Sequence, residues 1–153
     1  KEITSLNEDK RAQIRSKDVG FVFQSFHLLP RLSALDNVMM PLEILGAKDA
    51  KQRALKALDE VGLSKRTGHV PHQLSGGEKQ RVAIARAMVK APSILFADEP
   101  TGNLDQSSTD NILELLLRIN QQTKTTLVVV THDQQLAARS DMVFELQEGK
   151  LKC

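Results

Sequence analysis

Tryptophan and tyrosine are absent from these 153 residues, and phenylalanine occurs only five times. A nucleotide stacked on a Tyr or Trp of this chain is therefore excluded. Cysteine occurs once, as Cys153. One thiol can form neither an intrachain disulfide framework nor a cysteine metal site, which fits a reducing cytoplasm. No apolar run approaches the roughly 18–20 residues that span a bilayer. The chain opens on no charged-then-apolar leader, so secretion is not expected. Charge of one sign is lacking too: 21 Lys and Arg stand against 19 Asp and Glu, a net +2. That balance leaves no basic footprint for nucleic acid. Low-complexity segments and internal repeats are also missing. What the composition does supply is 41% hydrophobic residues, enough for a packed core in one domain.

Buried strands and amphipathic helices alternate along the chain. Ser5 and Glu8 have capping-box spacing and predict a short helix through Ile14, with residues 1–4 as the tail of an earlier strand. Val19 to Phe23 (VGFVF) reads as a buried strand. Ser33 caps a helix from Ala34 to about Met39, which Pro41 kinks or ends. The apolar residues from Phe26 to Leu45 (FHLLP, then Met39, Met40, Leu42, Ile44, Leu45) read as core or as an adaptable docking surface. Asp49 to Val61 is amphipathic, with Ala54, Leu55, Leu58 and Val61 on one face and Gly62 as the stop. Ser75 and Glu78 cap a helix through Lys90 that buries Val82, Ile84, Ala85 and Met88. Ile94 to Ala97 is a strand ending in Asp98-Glu99, and Gln106 to Gln121 is a helix. Thr125 to Val130 is a β-branched run expected to be a fully buried parallel strand. Gln134 to Arg139 reads as a short helix, and Met142 to Leu146 with Lys150 to Lys152 as a hairpin across Glu148-Gly149. The alternation predicts an open α/β sheet.

Such sheets bind ligands beyond the C-terminal ends of their strands. Gln24, Asp98 with Glu99, and His132 each follow a strand at that edge. Gln24 reads either as a metal- or water-directed amide or as a strand-end hydrogen bond. Asp98 suits Mg²⁺ and Glu99 suits a general base on water, although a solvated acidic pair at a strand end has the same sequence. His132 reads as a phosphate-directed imidazole or as a structural histidine. Ser75, Gly76 and Gly77 open a helix, where bare backbone N–H groups favour an anion such as phosphate. An ordinary capped helix start reads the same. His69 and His72, three apart in a Pro-containing loop with no third ligand nearby, read as surface histidines.

Five of these features stand in the order and approximate spacing of an ABC-transporter ATPase domain. Gln24 resembles its Q-loop, Leu74-Ser75-Gly76-Gly77-Glu78 its signature, Asp98-Glu99 its Walker B end, Asp105 after PTGNL its D-loop, and His132 its H-loop. The stretches VGFVFQSFHLLPRLSALDNVMMPL, FADEPTGNLD and THDQQLAARS resemble bacterial ATPases of the lipoprotein-releasing and macrolide-export type. The resemblance implies a P-loop NTPase (RecA-like) core over residues 1–25 and 90–153, with an inserted helical subdomain over 26–89. It implies ATP and Mg²⁺ as cofactors. Asp98 and Gln24 would serve the metal, Glu99 would be the base and His132 would contact the γ-phosphate. Ser75, Gly76, Gly77 and Glu78 would contact ATP held by the opposite subunit, and Asp105 would organise the dimer interface. It also implies a homodimer of ATPase subunits on a transmembrane permease subunit, at the cytoplasmic face of the membrane. Two further readings are a soluble ABC-type ATPase outside transport and a non-catalytic interaction piece.

The chain departs from the family pattern in one respect. None of its eight glycines belongs to a G-x-x-x-x-G-K-[ST] sequence, so the loop that cradles phosphates is not among these residues. The expectation is an N-terminally truncated member of the family, weak in ATP binding when alone and exposing apolar surface that favours self-association.

Overall fold

The computed structural model describes residues 2–152. Three strands, β1 (Val19–Phe23), β2 (Ile94–Asp98) and β3 (Thr126–Val130), form a parallel sheet in the order β1-β2-β3. The register aligns Phe23 with Asp98 and Asp98 with Val130. All three strands therefore end on one line, and the residues that follow them share an edge.

Parallel pairing requires a crossover between successive strands. From β1 to β2 it is long: α2 (Ala34–Ile44), α3 (Ala50–Glu60), 3-10 turns at Ser64–Arg66 and Pro71–Gln73, and α4 (Gly76–Met88). From β2 to β3 it is the single helix α5 (Gln106–Thr123). One continuous apolar cluster joins both crossovers to the sheet. Leu42, Leu58, Leu63, Ile84, Leu95, Ile112 and Leu116 are its largest fully buried members. Burying each such side chain contributes about 1.5–3 kcal/mol.

The covered face of the sheet carries Val22, Leu95 and Ala97, with Leu127 and Val129 packed against them. The opposite face is open. Phe21, Phe96, Val128 and Val130 are 41%, 37%, 38% and 59% exposed, and the Phe21 ring stacks on Phe96 at 5.5 Å. The strand at 126–130 is therefore parallel, as its β-branched run suggests, but it is not fully buried. Its alternate residues face solvent because helices cover only one side.

Helix boundaries follow local hydrogen bonding more closely than sequence spacing. Helix α1 (Glu8–Asp18) is capped by Asn7, whose Oδ1 accepts from Lys10 N at 3.0 Å, and not by Ser5. Ser5 is consumed by a turn in which Leu6 N donates to Ile3 O. The helix then runs to Asp18, with Glu8 paired to Arg11 and Arg15. Residues 2–4 join no strand, and Lys1 lies outside the described residues. Helix α2 continues through Pro41 to Ile44, because Val38 and Leu42 are locked in the core on either side of the ring. In α3 the buried face uses Ala57, and Leu55 is 40% exposed.

Beyond β3, α6 (Gln134–Ala138) precedes a two-stranded hairpin, β4 (Glu145–Gln147) and β5 (Lys150–Lys152). Its turn residues Glu148 and Gly149 both have positive φ, as a two-residue primed turn demands. Cys153 lies outside the described residues. No helix among the described residues is long and apolar enough to cross a membrane.

Candidate functional site

The residues after β1, β2 and β3 meet at the shared edge. Asp98 ends β2 and is exposed. Its carboxylate has no hydrogen-bond or ion-pair partner among the described residues. Glu99 turns away with φ +44, a left-handed conformation uncommon for a non-glycine residue. The turn is held by Glu99 N donating to Val130 O at 2.9 Å and by Gly102 N donating to Glu99 O at 3.1 Å. Two adjacent carboxylates are thereby sent in different directions.

Glu99 points to His132. The imidazole Nδ1 donates to Glu99 Oε1 at 2.8 Å. Glu99 is largely covered, with its side chain 25% exposed, whereas the His132 side chain is 85% exposed. The hydrogen bond to Glu99, with the attraction of its charge, raises the His132 pKa above the ordinary histidine value. The histidine itself is set by a bend in which Asp133 N donates to Thr131 Oγ1 at 3.0 Å. A hydrogen-bonded carboxylate and imidazole beside a free carboxylate can move a proton and hold a cation within one small region.

Gln24 occupies the same edge but engages the turn between β2 and α5. Its Nε2 donates to Asn103 Oδ1 at 3.4 Å, and Asn103 Nδ2 donates to Gln24 O at 3.1 Å.

Ser75, Gly76, Gly77 and Glu78 form a separate group. Ser75 Oγ accepts from Glu78 N at 3.2 Å and Glu78 Oε2 accepts from Ser75 N at 2.9 Å, a complete capping box. The backbone N–H of Ser75 and then the Arg66 guanidinium, 3.0 Å from Glu78, hold that carboxyl below its usual value. None of the four hydrogen-bonds to Asp98, Glu99 or His132. The glycines allow α4 to abut the start of α5: a Cβ at Gly76 would lie 3.2 Å from Leu104 Cδ2, and one at Gly77 would lie 3.1 Å from Ser108 Oγ. Asp105 caps α5, with Oδ1 accepting from Ser108 N at 2.7 Å and from Ser107 Oγ at 2.9 Å. These bonds hold its carboxyl below the usual range.

Several supporting residues are not announced by the motifs. Gln80 is fully buried, and its Nε2 donates to Pro100 O, tying α4 to the turn that carries Asn103 and Asp105. Arg86 lies partly buried, and its guanidinium donates to His27 O at 2.7 Å and Phe26 O at 2.9 Å. Burial lowers its pKa. Phe26 and His27 both have positive φ, so Arg86 satisfies the carbonyls of a strained turn two residues beyond Gln24. Buried Asn37 holds the same loop through Leu29 N and the carbonyls of Leu29, Leu32 and Ser33. The available signal was helical periodicity: Gln80 and Asn37 both fall on the apolar stripes of their helices.

A family model described as ABC transporter matches residues 1–102. The chain belongs to the ABC transporter family. It has the α/β P-loop NTPase fold of ABC ATPase cassettes. The chain is 52% identical over 148 residues to the lipoprotein-releasing system ATP-binding protein LolD of Legionella pneumophila (strain Paris), covering 95% of this chain and 65% of that protein. It is 52% identical over 150 residues to the uncharacterized ABC transporter ATP-binding protein YbbA of Escherichia coli (strain K12), covering 97% and 66%. It thus spans about two thirds of the length of these relatives. Among solved structures it matches a dimeric ATP-binding cassette in a post-hydrolysis state bound to ADP and Pi. The TM-score is 0.83 at 39% identity, covering 97% of this chain and 67% of that one.

Proposed function

We propose that the full-length protein is the ATP-binding and hydrolysing subunit of a bacterial ABC transporter, working as a homodimer on a transmembrane permease subunit. The observation that carries this reading is the edge where Glu99 holds His132 at 2.8 Å beside the free carboxylate of Asp98. Glu99 acts as general base on the attacking water, and His132 bonds the base and faces the γ-phosphate. Ser75, Gly76, Gly77 and Glu78 serve ATP on the opposite subunit, and Asp105 with its turn lines the dimer interface. The dimeric cassettes among the structural neighbours support that arrangement.

Mg²⁺ fits the donors present. The Asp98 carboxylate is unengaged and Gln24 supplies an amide oxygen, both hard oxygen ligands. No group of three His, Cys, Asp or Glu among the described residues forms a dedicated cage, in keeping with an ion that keeps water and phosphate ligands. When bound, Mg²⁺ neutralises charge on the transferring phosphate.

Residues 1–25 and 90–153 belong to the RecA-like core and 26–89 to a helical subdomain. That subdomain presents Leu29, Ile44 and Leu45, all exposed, to the permease at the cytoplasmic face of the membrane. The 52% identity to LolD supports extraction or export of lipoproteins or similar cargo as the work done. The test is ATP turnover by the full-length protein with Mg²⁺. Glu99→Gln should lower kcat by about 10²-fold or more while ATP still binds. Unchanged turnover in that variant would sink the assignment.

A further inference from the structure

The turn joining β2 to α5 touches both groups of site residues. On one side lie the two hydrogen bonds between Asn103 and Gln24, at 3.1 and 3.4 Å. The Gln24 side chain also lies against Gly102: a Cβ there would come within 2.6 Å of Gln24 Nε2, 3.1 Å of Cδ and 3.3 Å of Cγ. Gly102 is not in the left-handed region, so its missing side chain serves space and not backbone geometry. On the other side, Leu104 Cδ2 and Asn103 O stand 3.2 and 3.9 Å from the Cβ position of Gly76.

Asn103 is neither charged nor nucleophilic, and it caps no helix. Its amide meets both the backbone and the side chain of Gln24. The two bonds are reciprocal: Asn103 gives its NH₂ to a carbonyl and offers its oxygen to an NH₂. Turning the Asn103 amide over would oppose donor to donor and acceptor to acceptor, so its orientation is fixed by Gln24. The converse also holds. The amide nitrogen and oxygen of Gln24 share one rigid plane, and anchoring Nε2 decides where Oε1 faces.

We propose that Asn103 is a positioning residue for Gln24, aided by the missing side chain of Gly102, whose place the Gln24 side chain occupies. This rests on the ATPase reading, in which Gln24 Oε1 serves the metal and water. The turn bearing Asp105 then governs Gln24 within the same subunit, as well as lining the interface between subunits.

The test uses the full-length protein. Asn103→Ala removes both bonds and should lower kcat about fivefold, the size expected for losing the one that anchors Gln24 Nε2 at an accessible site, with KM for ATP changed less than about twofold. In a Gln24→Ala background the same substitution should change kcat by less than about 1.5-fold, because effects relayed through one residue are not additive. Gly102→Ala should reproduce the loss by displacing Gln24. A readout independent of turnover is the Gln24 side-chain amide signal in NMR, assigned by its disappearance in Gln24→Ala. It should move in both Asn103→Ala and Gly102→Ala. Equal losses of kcat in both backgrounds, or an unmoved amide signal, would overturn the proposal. If the unmodified protein hydrolyses no ATP, the ATPase reading fails, while the amide signal still decides whether Asn103 places Gln24.

Discussion

Glu99 and His132 are separated by 33 positions, yet their side chains meet at 2.8 Å. The contact exists because β2 and β3 pair in register to Asp98 and Val130, and because Glu99 turns back to donate to Val130 O. Strand pairing thus supplies the spacing, and the left-handed Glu99 backbone supplies the direction.

This contact makes His132 a pH reporter. Its folded pKa is raised by Glu99, so the charged contact is fully present below the ordinary histidine value. It is lost as pH rises through the raised one. An NMR titration of His132 should therefore give a pKa above the ordinary value in the native protein and a lower one in Glu99→Gln. An identical pKa in the two proteins would show that Glu99 is not the cause.

Gln80 bears on stability. Truncating it to alanine leaves Pro100 O buried without its donor and opens a small cavity. A loss of about 2 kcal/mol is expected, read by denaturant unfolding of the full-length protein. A loss below about 0.5 kcal/mol would mean that the turn relaxes to find another donor.

Arg86 tests the turn beyond Gln24. Arg86→Met preserves much of the apolar stem but removes both donors from the carbonyls of Phe26 and His27. Hydrogen exchange should quicken over Gln24 to Leu29, with a stability loss of about 1.5–3 kcal/mol for bonds to a charged donor. Lysine should restore part of the protection. Unchanged exchange over this segment would show that Phe26 and His27 hold their conformation without Arg86.

The open face of the sheet predicts the behaviour of the 153-residue chain by itself. With Phe21, Phe96, Val128 and Val130 exposed together, it should bind a hydrophobic dye and self-associate as concentration rises. Light scattering checks this. A monodisperse monomer that ignores the dye would contradict it. By the same preparation, ATP turnover should be negligible, because no phosphate-cradling glycine loop occurs in these residues.

The strands and the edge they share are legible in the sequence because both depend on local pattern. VGFVF occupies β1 from first to last residue, and the Ser75–Glu78 box caps α4 as spacing predicts. Contacts that depend on tertiary placement are not legible. Asn7 replaced Ser5 as a cap because a turn occupied Ser5. Helix α2 passed through Pro41 because its neighbours were anchored in the core. Arg86 carries the same charge as Lys79 on its helix, and only the fold brings it beneath two left-handed residues. Asn103 shows the limit most clearly. A turn asparagine in TGNLD reads as turn chemistry, and nothing local indicates that Gln24 lies across from it.

The parallel register also sets a timetable. Val19 pairs with Ile94, so on the ribosome β1 emerges about 75 residues before its partner. At typical synthesis speeds of roughly 5–20 residues per second, that interval is about 4–15 s. During it, the apolar strand VGFVF has no ladder to join. The segments made meanwhile are α2, α3 and α4, and the boxes at Ser33–Asp36 and Ser75–Glu78 that start two of them close within four residues. Nascent helices can therefore begin to bury Val22 well before β2 arrives to complete the edge.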